Sequence, residues 1–285
     1  MLYNDSVHAA KKMSASNLVT IWRVSKMRIA ITGAATGIGA ETVKLFKTAG
    51  HEIFAFDIVK SDLADHWIEV DLADLPSIDA AVSELGGKFD VLINNAGLPP
   101  RSNNQVKLLA VNVLGLMQMT RSMCPKLAPG ARIVNTASRA GLMWRENLDE
   151  VKALMSLTKV CEVENFVASR GIDPTRAYNL SKEAVIVYTK GLTRHLLDLD
   201  IRVNSVSPAP VATGILDEFM AALGDRAAAA LSLPGRAASA EEVAKVIAFL
   251  ASEDSSWVKG HDILVDGGVS AMVSAKELGF ERGET

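Results

Sequence analysis

The spacing of hydrophobic and polar residues alternates between two patterns along this chain, and this alternation predicts an α/β fold. From Met27 onward, short apolar runs alternate with stretches whose apolar residues recur at helical spacing. Such alternation is typical of βαβ units and a parallel sheet. The apolar runs predict strands at 28–33, 52–57, 67–70, 89–94, 131–137, 201–206 and 262–266, and the amphipathic stretches predict helices at about 38–49, 76–86, 104–127, 175–198 and 239–252. We therefore expect a single doubly wound α/β domain over residues 27–285, with a parallel sheet of about seven strands.

Three segments do not follow this alternation of strand and helix patterns. Residues 1–26 carry several serines and basic residues but one acid, Asp5, and we interpret them as a flexible N-terminal extension or a misplaced start rather than a transit peptide. Residues 142–173 predict a helical insertion, and residues 211–236 predict a substrate lid. Both follow the carboxyl ends of predicted strands, where open α/β sheets bind ligands. For 142–173, a surface helix or a subunit interface is as well supported as a lid.

Composition narrows the classes of function. The 285 residues are 49% hydrophobic and 22% charged, with a formal net charge of −3. This balance argues against a nucleic-acid or anionic-membrane partner, and no apolar run is long enough to span a membrane. Cys124 and Cys161 form no zinc or redox spacing, so we expect no metal site, reduced thiols and a cytoplasmic location.

A glycine-rich turn follows the first predicted strand, in the order Thr32-Gly33-Ala34-Ala35-Thr36-Gly37-Ile38-Gly39. Glycines let the backbone approach a pyrophosphate, and the helix N-terminus that follows stabilises its charge. The next predicted strand ends at Asp57, whose carboxylate can accept hydrogen bonds from both ribose hydroxyls and would repel a 2′-phosphate. No Arg or Lys occurs within the turn, which favours NAD over NADP as the cofactor.

Two residues four apart, Tyr178 and Lys182, lie on the predicted helix 175–198. Positions i and i+4 share one helix face, so the phenol and the ammonium can converge. A nearby ammonium favours the phenolate and lowers the pKa of tyrosine toward a value useful for acid–base catalysis. The pair alone is weak evidence, because amphipathic helices also produce this spacing by accident.

Seven motifs in chain order resemble those of one family. They are the glycine turn, Asn94-Asn95-Ala96-Gly97, Asn112, Ser138, Tyr178 with Lys182, the run from Pro208 to Thr213, and Val265-Asp266-Gly267-Gly268. On these motifs the chain resembles the short-chain dehydrogenase/reductase family over about residues 27–272. The resemblance implies a Rossmann-type fold and hydride transfer between a nicotinamide cofactor and an alcohol or its carbonyl compound.

The resemblance assigns the catalytic roles to four residues. Tyr178 would act as general base in oxidation and general acid in reduction, and Ser138 would hold the substrate oxygen beside its hydroxyl. Lys182 would lower the pKa of Tyr178 and bind the nicotinamide ribose. Asn112 would distort its helix so that a carbonyl holds a water that connects Lys182 to solvent.

The cofactor residues follow from the same resemblance. Asp71 and Leu72 would lie at the adenine, Asn94 would bridge strands beneath the cofactor, and Ala96 and Gly97 would leave room for the ribose. The full predicted set is Gly33, Thr36, Gly37, Ile38, Gly39, Asp57, Asp71, Leu72, Asn94, Ala96, Gly97, Tyr178, Lys182, Pro208, Val211 and Thr213.

Two departures from the family pattern are visible. Ala209 replaces the usual glycine after Pro208, and Ser138 and Tyr178 lie much further apart in sequence than in most relatives. A long insertion at this place resembles the bacterial coniferyl-alcohol dehydrogenase and 3α-hydroxysteroid dehydrogenase/carbonyl reductase branches of the family. In the steroid branch it obstructs a common helix-packing interface and favours dimers.

The leading hypothesis is therefore an NAD-dependent alcohol/carbonyl oxidoreductase with an apolar, aryl-alcohol or steroid-like substrate, working as a homodimer or homotetramer. Two alternatives remain open. One is a 3-oxoacyl thioester reductase, which is disfavoured by the preference for NAD that Asp57 indicates and by the long insertion. The other is a non-catalytic NAD-binding sensor, since a fold does not fix a function.

Overall fold

Seven parallel strands form the central sheet of the computed structural model, which describes residues 26–214, Leu216 and residues 231–280. The strands are β1 (Arg28–Thr32), β2 (Glu52–Asp57), β3 (His66–Glu69), β4 (Phe89–Asn94), β5 (Leu127–Thr136), β6 (Arg202–Pro208) and β9 (Asp262–Val265). Their order is β3-β2-β1-β4-β5-β6-β9. The strand order reverses between β1 and β4, and this reversal opens a crevice at the carboxyl ends of the strands. The predicted doubly wound parallel sheet is confirmed.

Helices cover both faces of the sheet. They are α1 (Gly37–Thr48), α2 (Leu75–Ser83), α3 (Gln105–Leu109), α4 (Leu116–Met123), α5 (Leu148–Met155), α6 (Val160–Arg170), α7 (Pro174–Leu197), α8 (Ala240–Leu250) and α9 (Val269–Glu277). A π-helical turn, Ala110–Gly115, joins α3 to α4, and 3₁₀ turns lie at Cys124–Lys126, Arg139–Trp144 and Glu253–Ser255. Two short strands, β7 (Val211–Ala212) and β8 (Ala238–Ser239), pair with each other.

Side chains of successive strand residues pack into two different layers. Ile29, Ile31, Ile53 and Ile93 point to α1 and α8, while Ala30, Phe54, Leu92 and Ile133 point to α2 and α4. Because both faces are covered, the strands read as continuous apolar runs rather than alternating ones. This is why the hydrophobic pattern located the strands to within about two residues, except at the start of β5.

The insertion at 142–173 is part of the packed structure. Val151 and Leu154 of α5 and Val163 and Phe166 of α6 share a buried cluster with residues of α3, the π-helical turn and α7. The insertion therefore covers the outer surface of the helix pair that carries the predicted catalytic residues. Apolar contact to a second layer of helices, rather than to solvent, explains its helical pattern.

The other unusual segments fall partly outside the described residues. Residues 1–25 of the predicted N-terminal extension and most of the predicted lid at 211–236 lie outside the residues that the structure describes. At the described ends of the lid segment, β7 follows β6 directly and β8 leads into α8. The sequence pattern missed β7, β8 and α9, which are short or have only one buried position.

Candidate active site

The predicted catalytic residues meet at the carboxyl end of the sheet, where β4, β5 and β6 end against the first half of α7. Asp173 caps α7 by accepting a hydrogen bond from the Arg176 amide at 2.8 Å, and Pro174 occupies the first helical position. Tyr178 and Lys182 follow one turn apart on the face turned toward the strand ends. The sequence thus fixes where the helix begins and which residues it directs into the crevice.

Tyr178, Lys182 and Ser138 are brought together, as the helical spacing predicts for the first two residues and as the family resemblance implies for Ser138. The hydroxyl groups of Ser138 and Tyr178 are hydrogen-bonded to each other. Lys182 Nζ lies 5.8 Å from the centroid of the Tyr178 ring and donates a hydrogen bond to the Thr136 carbonyl oxygen at 3.0 Å. Ser138 Oγ also lies 3.5 Å from the Pro208 carbonyl oxygen, its acceptor at the end of β6. A serine hydroxyl, a phenol and an ammonium therefore converge on one point.

Burial changes the acid–base properties of this pair. It raises the pKa of Tyr178 to about 12, against a smaller opposing effect of the Ser138 hydrogen bond, and it lowers the pKa of Lys182 to about 8. Tyr178 is therefore a neutral phenol at neutral pH, while Lys182 remains mostly cationic. The lowered tyrosine pKa expected from the sequence is not found here, because burial outweighs the neighbouring hydrogen bond.

Asn112 ties three elements together at the π-helical turn. Its Oδ1 accepts a hydrogen bond from the Leu98 amide at 2.7 Å, and its Nδ2 donates to the Leu98 carbonyl at 3.1 Å and to Ser181 Oγ at 3.2 Å. Ser181 Oγ in turn donates to the Tyr178 carbonyl at 2.7 Å. The helix is widened at Asn112, as the resemblance implies, and the side chain links the loop after β4 to α7.

The glycine turn has the geometry that close backbone approach requires. Gly33 has φ +67° and Gly37 has φ +56°, both in the left-handed region. A Cβ at Gly33 would lie 2.7 Å from Ala96 Cα, so a side chain there would push the β1 and β4 loops apart. The backbone positions of Gly33, Thr36, Gly37, Ile38 and Gly39 thus form one continuous turn into α1.

Asp57 lies at the end of β2 and faces this turn. Its Oδ2 accepts a hydrogen bond from the Ala35 amide at 3.0 Å, and its Oδ1 accepts one from the Val59 amide at 3.0 Å. These contacts fix the carboxylate at the rim of the glycine turn. The next residues, Ile58 and Val59, are exposed and carry no charge.

A polar network beneath the site includes residues that sequence reasoning did not select. Asn94 Nδ2 donates to Thr120 Oγ1 and to Asn135 Oδ1, both at 2.9 Å. Asn95, which was not in the predicted set, donates through Nδ2 to the Gly33 carbonyl at 2.9 Å. Thr32 Oγ1 accepts from the amides of Asn95 and Ala96, each at 3.1 Å. The sequence could have indicated both residues, since Asn95 stands within the motif Asn94-Asn95-Ala96-Gly97 and Thr32 immediately precedes Gly33 of the glycine turn.

The remaining predicted cofactor residues lie on the flanks of the crevice. Asp71 Oδ1 accepts from the Ala73 amide at 2.9 Å and its Oδ2 lies 3.5 Å from Lys107 Nζ, while Leu72 is buried. Thr213 lies beside the glycine turn, at a place where a Cβ on Gly37 would come within 3.3 Å of Thr213 Cγ2. The Ala209 amide donates to the Val265 carbonyl at 3.2 Å.

Comparison with known proteins decides the family. A family model described as short chain dehydrogenase matches residues 27–149, and one described as Enoyl-(Acyl carrier protein) reductase matches residues 158–270. The coniferyl-alcohol dehydrogenase of Pseudomonas sp. (strain HR199 / DSM 7063) is 34% identical over 252 residues, which are 87% of this chain and 98% of that protein. This chain belongs to the short-chain dehydrogenase/reductase family.

Two further relatives agree with this membership. The 3-alpha-hydroxysteroid dehydrogenase/carbonyl reductase of Comamonas testosteroni is 28% identical over 256 residues, covering 86% of this chain and 97% of that protein. The crystal structure of the 3-alpha-hydroxysteroid dehydrogenase from Pseudomonas sp. B-0831, complexed with NADH, superposes with a TM-score of 0.76 at 28% identity. It covers 87% of this chain and 99% of that chain. The resemblance to both branches named from the motifs is therefore confirmed.

As a short-chain dehydrogenase/reductase, the protein is an NAD(P)-dependent oxidoreductase that acts on a small molecule. In the part of the chain that the structure describes, no helix is long and apolar enough to cross a membrane. The same described residues contain no cluster of three or more His, Cys, Asp or Glu side chains that could hold a metal ion.

Proposed function

We propose that this short-chain dehydrogenase/reductase uses NAD to interconvert an apolar alcohol and its carbonyl compound, with Tyr178 as the general acid and base. One observation carries the proposal: the hydrogen-bonded hydroxyls of Ser138 and Tyr178 lie beside Lys182, at the mouth of the crevice that the glycine turn borders. A protein that only bound a nucleotide would have no chemical need for this arrangement.

The residues at the crevice fit a dinucleotide. Thr36, the N-cap of α1, makes no side-chain capping bond, and the first turn contains no acidic residue. The first amides of α1 are therefore available to an anion such as a pyrophosphate. The Asp57 carboxylate lies at the rim of the same turn, next to the uncharged Ile58 and Val59, and this arrangement supports NAD over NADP.

The proposed chemistry divides between the cofactor and the protein. Bound NAD supplies the hydride acceptor in oxidation, and NADH the hydride donor in reduction. In reduction, Tyr178 gives its phenolic proton to the forming alkoxide, which suits the raised pKa of a neutral phenol. In oxidation, Tyr178 must first lose that proton, and the cationic Lys182 favours the phenolate electrostatically. Ser138 holds the substrate oxygen beside the Tyr178 hydroxyl in both directions.

Proton exchange with solvent is assigned to the polar residues behind Tyr178. Lys182 Nζ is held by the Thr136 carbonyl, and a Cβ at Gly97 would lie 3.4 Å from this ammonium and 3.5 Å from Asn112 Oδ1. Lys182 and Asn112 are therefore close neighbours across Gly97. We assign to the widened helix at Asn112 the role of passing protons between Lys182 and solvent.

The substrate class rests on the relatives and on the turn after Ser138. The names of two relatives specify coniferyl alcohol and 3α-hydroxysteroids, both largely apolar alcohols. Met143, in the 3₁₀ turn that begins directly after Ser138, is 56% exposed and offers an apolar surface on that turn. An aryl alcohol or a hydroxysteroid matches this surface better than a charged thioester does.

We also propose a cytoplasmic homodimer. Cys124 and Cys161 are both free, as expected for a reducing compartment. The insertion helices α5 and α6 cover the outer surface of α3 and α7, and this disfavours pairing of subunits through those helices. Strand β9 lies at the edge of the sheet, and this strand and the segment after it expose the apolar residues Leu264, Met272, Val273, Leu278 and Phe280. This face is the proposed contact between two copies.

A substrate screen tests the proposal. Purified protein is offered aryl alcohols, hydroxysteroids and secondary aliphatic alcohols with NAD or NADP, and 3-oxoacyl thioesters with the reduced cofactors. We expect NADH formation with an aryl or steroid alcohol, and Asp57→Ala should narrow the preference for NAD over NADP by about tenfold or more. Turnover of the thioesters alone would establish the reductase alternative. Binding of NADH without turnover of any compound would establish the sensor alternative.

A further inference from the structure

Glu183 is a buried carboxylate immediately after Lys182, and the proposed chemistry does not use it. Its side chain is 1% exposed, and Arg176, two turns earlier on α7, binds it through two hydrogen bonds of 2.9 Å each. Asn147 Nδ2 donates a third hydrogen bond to Glu183 Oε1 at 2.8 Å. A buried charge is costly unless it is paired, so these contacts hold Glu183 in one position.

One partner of Glu183, Asn147, belongs to the segment that follows Ser138. Ser138 caps the 3₁₀ turn Arg139–Trp144, because its Oγ accepts a hydrogen bond from the Ala140 amide at 3.2 Å. Asn147 stands three residues beyond the end of this turn. The Asn147 amide and side chain both donate to the Met143 carbonyl, at 3.3 and 3.1 Å. Asn147 therefore attaches the end of the turn to Glu183.

The turn and the helix also touch through their backbones. A Cβ at Gly141 would lie 2.6 Å from the Lys182 carbonyl carbon and 2.9 Å from the Glu183 amide nitrogen. The turn thus passes over α7 at the peptide that joins Lys182 to Glu183. Arg176 extends the attachment to α5, because its Nη2 lies 2.6 Å from Glu150 Oε2.

We propose that Glu183 is a positioning residue that holds the Ser138 turn against α7 and so sets the place of the Ser138 hydroxyl relative to Tyr178. The two segments that carry the catalytic groups are far apart in sequence and are separated by the whole insertion. Glu183 joins them one residue from Lys182, through Asn147 on one side and Arg176 on the other. The inference rests on the proposed function, since the consequence of misplacement is lost turnover.

The test compares two carboxylates that share one arginine. Glu183→Ala and Glu150→Ala each remove one partner of Arg176, but only the first releases Asn147. We expect Glu183→Ala to lower kcat by about tenfold to a hundredfold, as misplacement of a reacting group by about 1 Å does, with NADH affinity changed less than about twofold. Glu150→Ala should lower kcat by less than about threefold. Glu183→Gln, whose amide oxygen can still accept from Asn147, should recover most of the activity.

A second variant and a second readout keep the test independent of folding and of turnover. Asn147→Ala leaves the paired charges intact and should reproduce the loss of kcat seen in Glu183→Ala. Hydrogen exchange of the amides at 139–147, measured by mass spectrometry, should accelerate in both variants and not in Glu150→Ala. Unchanged exchange together with normal kcat in Asn147→Ala would overturn the inference while leaving the proposed function in place. A wild-type protein that oxidises no alcohol would overturn the function, and the exchange data would still decide whether Glu183 holds the turn.

Discussion

At the scale of single residues, an altered pKa does not by itself mark a catalytic group. Helix α7 carries two tyrosines, Tyr178 and Tyr188, and burial raises the pKa of each to about 12. The Tyr188 hydroxyl donates to the Met117 carbonyl at 3.5 Å, whereas the Tyr178 hydroxyl meets Ser138 and lies near Lys182. Only the surroundings distinguish the catalytic candidate from the structural residue.

Lys182 should make stability depend on pH in a way that its removal abolishes. Burial lowers its pKa from 10.5 to about 8, so below pH 8 the folded protein carries a buried cation at a cost of about 3 kcal/mol. As pH rises from 8 toward 10.5 the folded state binds fewer protons than the unfolded state, and this cost disappears. Lys182→Met removes this titration. Between pH 8 and 10.5 the free energy of unfolding of wild type should therefore rise by about 2 to 3 kcal/mol relative to that of the variant.

The measurement is the free energy of unfolding by urea at neutral pH and near pH 10 for both proteins. Lys152→Met serves as the control, because Lys152 is an exposed lysine of α5. The free energy of unfolding of Lys152→Met should depend on pH in the same way as that of wild type. A constant difference between wild type and Lys182→Met across the window would show that Lys182 is not a buried titrating group.

At the scale of elements, the π-helical turn at Ala110–Gly115 joins the loop after β4 to α7 through Asn112. We expect Asn112→Ala to lower the free energy of unfolding by about 2 to 4 kcal/mol, since it removes buried hydrogen bonds and leaves their partners unsatisfied. It should also lower kcat by about tenfold or more, because the Ser181 contact supports the backbone at Tyr178.

Asn104→Ala provides a matched control for this loop. Asn104 accepts a hydrogen bond from the Arg101 amide at 3.0 Å and donates to the Pro99 carbonyl at 2.9 Å, so these two bonds hold the loop to itself rather than to α7. Both variants should show a lower Tm, but kcat should fall strongly only in Asn112→Ala. Equal kcat values in the two variants would remove the special role of the π-helical turn.

The elements of this fold were largely predictable, and the connections between them were not. Strands buried on both faces leave continuous apolar runs, and Asp173-Pro174 marks the start of α7, so local pattern sufficed for them. The contacts of Asn95 with Gly33 and of Glu183 with Asn147 join residues that are distant in sequence. No local pattern encodes such pairs, because they depend on how loops from different strands meet.

At the scale of the whole molecule, β9 and the segment after it expose an apolar surface at one edge of the sheet. If two copies associate there, Val273→Asp should convert the dimer to a monomer, because a charge would be buried without a partner. Leu199→Asp is the control, since Leu199 is similarly exposed, at 45% against 41%, but follows the far end of α7. Light scattering after size exclusion should give half the wild-type mass only for Val273→Asp. An unchanged mass in that variant would place the interface elsewhere.

The most direct test of the account is the comparison of Tyr178→Phe with Tyr188→Phe. Both substitutions remove one tyrosine hydroxyl from α7 and keep the ring. With an alcohol that wild type oxidises, Tyr178→Phe should lower the rate of NADH formation by about a hundredfold to ten-thousandfold, as loss of a general acid–base group does. NADH binding, followed by fluorescence, should change by less than about threefold, and Tyr188→Phe should retain wild-type turnover. Turnover by Tyr178→Phe at the wild-type rate would contradict the assignment of Tyr178 as the proton-transfer residue.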